Sequence, residues 1–222
     1  MKRILLTFFP LCLYCMIAQA QSTTGNMDLS NEETQSTELI KNHSFEDEAT
    51  PIRNRRFGPN GEGELFGGYL PAGIIPGWLP VNNEEASFLM EATSDKLLDK
   101  TQQKALRWTI TETTATAPAA IANVGFHGIE AIEGNKYTLT FWARADKRYK
   151  GKIKVGLQSK KDGTWYAQAT VKGKIKKRWK KYTIAFTAEQ SAKNARFVLS
   201  ADKPGTLYLD EVSLYSPGII KR

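Results

Sequence analysis

The chain has 222 residues, with Lys and Arg at 31 positions, Asp and Glu at 23, two cysteines, two histidines and a formal net charge of +8. That inventory excludes a disulfide-rich scaffold and leaves few parts for a zinc centre. A chain of this length corresponds to one domain whose core can hold the fold without cross-links, since it buries roughly 70% of its unfolded surface.

The N-terminus reads as an export leader spanning residues 1–20. Lys2 and Arg3 precede an apolar run over residues 4–17, and Ala18-Gln19-Ala20 supplies a small-x-small cleavage site before Gln21. The run is shorter than the ~20 residues a spanning helix needs. A retained anchor is the alternative, whereas lipoprotein processing at Cys15 is disfavoured by the bulky Tyr14. Cys12 and Cys15 both lie in the leader, so the mature chain has no thiol for a disulfide or a metal. A periplasmic or secreted protein is expected.

Residues 21–37 are Ser, Thr, Asn and Glu with scarcely an apolar position, the composition of a flexible linker. The folded domain is expected over residues 38–217, with 218–222 as a tail. Residues 53–78 are punctuated by Gly58-Pro59-Asn60-Gly61-Glu62-Gly63 and Gly67-Gly68-Tyr69-Leu70-Pro71, which predicts a long loop. Its aromatics, Phe57, Phe66, Tyr69 and Trp78, suggest a functional role for that loop.

Period-two alternation follows. Residues 105–111 place Leu106, Trp108 and Ile110 on one face, and 137–144 place Tyr137, Leu139, Phe141 and Ala143 opposite Thr138, Thr140, Trp142 and Arg144. Residues 152–159 alternate Ile153, Val155 and Leu157 with Lys154, Gly156 and Gln158. Asp162-Gly163 is a hairpin signal leading into a strand over 164–172. Further strands are predicted at 182–187, 196–200 and 206–214, and a short turn of helix at 94–104. Many short strands at this spacing indicate an all-β protein, a jelly-roll β-sandwich.

Seven cations crowd residues 172–181: Lys172, Lys174, Lys176, Lys177, Arg178, Lys180 and Lys181. Two readings stand for the run. It can attract a polyanion by counterion release, and export then argues against nucleic acid in favour of acidic polysaccharide or a membrane surface. Alternatively, it is a solvated hairpin edge whose lysines block strand-to-strand aggregation.

Five segments together carry a resemblance: Asn42-His43-Ser44-Phe45-Glu46, Gly125-Phe126-His127-Gly128-Ile129, Gly134 through Arg144, Trp179-Lys180-Lys181-Tyr182, and Leu209-Asp210-Glu211-Val212-Ser213-Leu214. In order and spacing they resemble the CenC-type carbohydrate-binding domain, a galactose-binding-like sandwich. More narrowly, they resemble the N-terminal domain of family-51 α-L-arabinofuranosidases of Bacteroidetes. His127 stands where an aromatic, often tryptophan, is expected. Those enzymes continue into a (β/α)₈ barrel carrying the catalytic glutamates, which this sequence does not contain. The resemblance implies a non-catalytic module for an arabinose-containing plant cell-wall polysaccharide, or a structural piece of such an enzyme. It also implies a structural calcium ion held by Glu46 and Asp210, for which hard oxygen ligands suit; turn capping or lysine pairing is the alternative role for the two carboxylates.

The residues themselves offer little catalysis. Glu84 with Glu85 and Glu130 with Glu133 lie in predicted turns, and adjacent residues on an extended chain point to opposite faces, which does not suit the fixed carboxyl pair of glycoside hydrolysis. His43 and His127 have no cysteine partner, and Ser44 lacks a glycine elbow. For sugar binding, outward aromatics with polar neighbours are the parts required. Trp142 and Arg144 alternate away from the core, Trp78 adjoins the long loop, and one of Trp165 and Tyr166 must face outward, with Gln168 aligned with Tyr166. Trp108 and Trp179 read as packing residues. The expected partner is a polysaccharide or oligosaccharide, with no nucleic acid, no stable membrane insertion and a monomeric state.

Overall fold

The computed structural model describes residues 37–47, 56–57, 63–64, 75–81 and 85–216, all within the unit Thr34–Arg222. The segments read as leader and tail, the linker up to residue 36 and most of the Gly- and Pro-rich segment, including Phe66 and Tyr69, lie outside the described residues, whereas Thr37, read as the end of the linker, is already strand. The regular structure is strand throughout these: β1 (Thr37–Glu38), β2 (Arg56–Phe57), β3 (Gly63–Glu64), β4 (Trp78–Val81), β5 (Ser87–Thr93), β6 (Ala105–Glu112) and β7 (Ala119–Asn123). Then follow β8 (Ile129–Ala131), β9 (Lys136–Ala145), β10 (Ile153–Ser159), β11 (Trp165–Thr170), β12 (Lys180–Thr187), β13 (Ala192–Ala201) and β14 (Gly205–Ser216).

Two antiparallel sheets stack face to face as a jelly-roll sandwich. The first runs β12-β9-β14-β6-β5 with β1 added on β14, the second β11-β10-β13-β7-β4 with β8 added on β13, and β2 and β3 form a separate ribbon. Alternation decides which side chains fill the space between the sheets. Leu106, Trp108 and Ile110 of β6, Tyr137, Leu139 and Phe141 of β9, and Ile153, Val155 and Leu157 of β10 are all buried in one core cluster. Phe141 stacks on Tyr182 at 5.4 Å between ring centroids, and Tyr137 on Phe186 at 6.0 Å, so the β9–β12 pair is held by rings as well as by its ladder. Each fully buried aromatic contributes on the order of 2–3 kcal/mol of transfer free energy.

The two ends of the domain meet. Leu39 N–H donates to Leu214 O at 2.9 Å, Val212 N–H to His43 O at 2.8 Å, and the Glu38 carboxylate accepts from the N–H groups of Ile40 and Leu214. The Asp162-Gly163 turn forms as expected: Ser159 N–H bonds Thr164 O at 2.8 Å, and Asp162 Oδ1 accepts from Thr164 N–H.

The helical turn expected at residues 94–104 does not form. Side-chain-to-backbone bonds take its place: Thr93 Oγ1 accepts from Asp95 N–H and Asp99 Oδ1 from Thr101 N–H, while Lys96 adopts φ 57°. Short polar side chains bond the local backbone and so compete with a helix. The strand boundary also moves at Trp78, which opens β4.

Candidate functional site

The outer face of the second sheet carries a recess, and the strand registers give its floor. One row across β11, β10, β13, β7 and β4 is Thr170, Lys154, Ser200, Ala120 and Val81. The next is Gln168, Gly156, Val198, Ala122 and Leu79. A third begins Trp165, Gln158 and Arg196. Small side chains occupy the middle of the sheet, and Ala120, Ala122 and Val198 form their own buried cluster, with Val81 and Trp165 packed against it. Larger groups stand at the margins. The result is an open recess of ≈ 450 Å³, within the range of about 300–1,000 Å³ that small-molecule clefts occupy.

Gly156 is part of this construction. A Cβ there would run into the Ala167 carbonyl oxygen of the neighbouring strand, so glycine permits the close approach of β10 and β11. Just beyond, the register slips between Leu157 and Gln158, so Leu157 pairs with Ala167 but Gln158 pairs with Trp165. That β-bulge corrects the expected alignment. Strict alternation would set Tyr166 beside Gln168, whereas the extra residue turns Trp165 to the same open face as Gln168 and leaves Tyr166 packed against the core.

One cation, Lys154, lines the recess, and a second, Arg196, stands in register with its Gln158. The Lys154 ammonium lies 4.3 Å from the Trp165 ring centroid, and partial burial lowers its pKa. Arg196 is 5% exposed and donates from Nε and Nη2 to Gln158 Oε1 at 3.2 and 2.9 Å. Burial lowers its pKa as well. Among the described residues no Asp or Glu lines the recess.

The other expected sugar contacts are elsewhere. Trp78 is 1% exposed, its ring 5.2 Å from Phe45 and 6.4 Å from Phe197, and its Nε1–H donates to Asn42 O at 3.0 Å. A ring enclosed in this way has no face for a ligand, and its job is to lock the first turn to β4. Trp142 and Arg144 do face outward, but from the first sheet, on the opposite side of the sandwich. Trp142 stands in register between Lys181 of β12 and Asp210 of β14, and the Arg144 guanidinium lies 5.7 Å from the Tyr208 ring. Trp179 reaches the 94–104 loop, its Nε1–H shared between Lys96 O and Leu97 O. The structure therefore brings together Trp165 and Gln168 and separates them from Trp142, Arg144 and Trp78.

Reading the sequence alone misses the floor of the recess and its other cation, Arg196. It also misses Phe126, which is 61% exposed beyond the end of β7. The available signal was composition: Ala119 through Asn123 is an alanine-rich strand with every position buried, the pattern of a strand covered on both faces.

A second polar cluster lies where the two chain ends meet. Glu46 Oε1 accepts from the N–H groups of Gln103 and Lys104 at 2.9 and 3.0 Å, and Asp210 Oδ1 from Glu211 N–H at 2.8 Å. Gln102 Nε2–H donates to Glu211 Oε1 at 2.8 Å. Two oxygens are left over, Asp210 Oδ2 and Gln102 Oε1, both buried and without a hydrogen-bond partner. Burial, reinforced by the carboxylates of Glu211, Glu46 and Asp99, pushes the Asp210 carboxyl up to about 7. Among the described residues no three acidic or histidine side chains converge at metal-ligating distance. The oxygens present are those of carboxylates and an amide, the kind that suit a hard cation rather than a transition metal, and the Lys104 ammonium lies beside them, 3.4 Å from Glu46 O and Asp47 O.

A family model described as a carbohydrate binding domain matches residues 37–205. Among solved structures, an arabinose-bound GH51 α-L-arabinofuranosidase superposes with a TM-score of 0.61 at 18% identity, covering 87% of this chain and 28% of that one. A protein of Bacteroides thetaiotaomicron VPI-5482 proposed to bind sugar gives 0.50 at 16% identity, over 81% of this chain and 100% of its own. The CBM22-1 xylan-binding domain of Paenibacillus barcinonensis Xyn10C gives 0.49 at 13% identity, over 79% and 92%. At these identities the likeness is one of fold. The chain spans 28% of the arabinofuranosidase's length. No curated protein matches it.

Proposed function

The chain belongs to the carbohydrate binding domain family, and from that premise we propose that it holds a plant cell-wall polysaccharide, one containing arabinose, in the recess of its second sheet. The observation that carries this is the pairing of a half-buried Trp165 with Gln158 and Lys154 around a floor of small residues, with Gln168 on the same face of the sheet. An aromatic face covers the apolar side of a sugar ring, and the polar neighbours reach its hydroxyls. Among the described residues none along the recess supplies the paired carboxyl groups of glycoside hydrolysis, and the reading is binding without cleavage. The arabinose preference draws on the motifs at both chain ends and on the fold shared with the arabinofuranosidase. The leader at residues 1–20 supports a periplasmic or secreted location.

Affinity electrophoresis in arabinan and arabinoxylan tests it. Retardation of the protein that is lost in Trp165→Ala is the expected result, and retardation equal for both proteins contradicts it. A second reading takes the chain as the accessory domain of an arabinofuranosidase, supporting a catalytic barrel and binding nothing itself; its support is the 28% share of that enzyme which this fold occupies. No retardation by any glycan favours that reading.

We also propose that the polar cluster holds a structural calcium ion, with Glu46 and Asp210 as carboxylate ligands and Gln102 Oε1 as a third oxygen. Its support is the pair of buried acceptor oxygens that no donor satisfies, an arrangement a cation would complete. Bound calcium would supply the positive charge that a buried carboxylate otherwise lacks. Isothermal titration of chelated protein with calcium tests this, one site per chain being expected and no heat contradicting it.

A further inference from the structure

The seven-cation run is part of a larger charged surface. Three connections meet at one end of the sandwich: residues 146–152, 171–179 and 202–204. They are bonded to one another and to the sheets, through Ala145 N–H to Lys176 O at 2.8 Å, Val171 N–H to Ile153 O at 2.8 Å, and Lys152 N–H to Asp202 Oδ1 at 2.7 Å. Val171 and Ile175 are buried beneath the exposed lysines, and the Tyr182 hydroxyl accepts from Lys176 N–H at 3.1 Å. The cations are therefore carried on a pinned scaffold.

These three connections hold ten Lys or Arg residues, all exposed, and two aspartates. Both aspartates are occupied by backbone: Asp146 Oδ1 accepts from the N–H groups of Arg148 and Tyr149, and Asp202 from Lys152. None of the ten cations forms an ion pair with a described carboxylate. The excess at this end thus equals the formal +8 of the whole chain.

The end adjoins the recess. Lys154 lies two residues along β10 from Lys152, in the row nearest this end, and it lines the recess beside Thr116 and Ser200. Arg196, held by the neutral Gln158, adds a second cation to the same face without a carboxylate to balance it. Solvated lysines need no partner in order to protect an edge, but that role does not call for a lysine without a carboxylate partner in the lining of a recess, as Lys154 is.

We propose that the glycan bound in the recess is acidic, a uronate-bearing polysaccharide whose carboxylates are met by Lys154 and by the basic end beside it. This rests on the reading of the recess as a sugar site and narrows its ligand class. A chain of sugar rings that leaves the recess past Lys154 runs onto the ten cations, where each carboxylate releases counterions as it binds. The attraction is screened by salt, because the cations are exposed and the Debye length is only about 10 Å at 0.1 M.

The test compares the full protein's affinity for polygalacturonate, for the same polymer fully methyl-esterified, for neutral arabinan, and for anionic phosphatidylglycerol vesicles. The expected result is at least about tenfold tighter binding of the acid than of the ester at about 20 mM salt, an advantage that largely disappears by about 200 mM. Trp165→Ala weakens binding of the acidic polymer. A triple variant, Lys174→Gln, Lys176→Gln and Lys177→Gln, brings the acid-to-ester ratio toward one. Equal affinity for acid and ester overturns the proposal while leaving a neutral-sugar site intact, provided arabinan is still bound through Trp165. Acid binding indifferent to Trp165→Ala, or vesicle binding as strong as polymer binding, overturns it in favour of a general polyanion or membrane surface. No binding to any of the four overturns both readings.

Discussion

In the presence of chelator the protein's stability should depend on the ionisation of Asp210. With a pKa raised from 3.8 to about 7 in the folded state, this carboxyl is protonated in the native protein at pH values where the unfolded chain has already ionised it. Its contribution is fully present below about pH 4 and is lost as pH rises through about 7. That rise corresponds to roughly 4 kcal/mol. For a domain of this size that is on the order of 8–16 °C in Tm. The assay is thermal unfolding in chelator between pH 4 and pH 8, for wild type and for Asp210→Asn. The asparagine cannot ionise, so the difference between the two curves isolates Asp210 from other titrating groups. Wild type should fall relative to the variant as pH rises, and added calcium should restore the wild type at pH 8 but not Asp210→Asn. Parallel curves would refute the reasoning, because they would mean that the carboxyl is solvated and needs no compensating charge.

Other outcomes follow from single contacts. Phe141→Ala removes a fully buried ring stacked on Tyr182 and should cost about 3–5 kcal/mol in urea unfolding. Gly156→Val forces a side chain against the Ala167 carbonyl and should cost about 1–3 kcal/mol, with glycan affinity falling as β10 and β11 part. Trp142→Ala, on the opposite sheet from the recess, should leave the dissociation constant for neutral glycan unchanged within about twofold, since its surroundings share no partner with Trp165. A large loss in that variant would move the site to the first sheet.

Half of the fourteen described strands were legible because their alternation is unambiguous: β6, β9, β10 and β12 each turn every second residue inward, as read. β7 was not, because its outer face is also covered and the period-two signal disappears into Ala119-Ala120-Ile121-Ala122-Asn123. That Glu46 and Asp210 lie near each other was implied by resemblance; the turn carrying Glu46 is tied to the final strand by the bond from Val212 N–H to His43 O. The site was only partly legible. Alternation placed Trp142 and Arg144 outward, which holds, but cannot say on which of two sheets an outward residue lies; that depends on long-range strand order. Trp165 and Gln168 were singled out, yet their shared face depends on a bulge set by Gly156 and its neighbours across β10 and β11. Trp78 was misread as a loop aromatic, because proximity to glycines in sequence does not disclose that Phe45 and Phe197 close over its ring. The basic run was plain in the sequence, whereas its union with two other connections needed the topology.

The most direct test of the central claim is amide chemical-shift mapping by NMR while an arabino-oligosaccharide is titrated into the protein. The account predicts that shifts concentrate on Gly156, Gln168, Val198 and Ala122, with the Trp165 indole moving most among the tryptophans. Shifts centred instead on Thr140, Trp142 and Arg144 would contradict it and place the glycan on the first sheet.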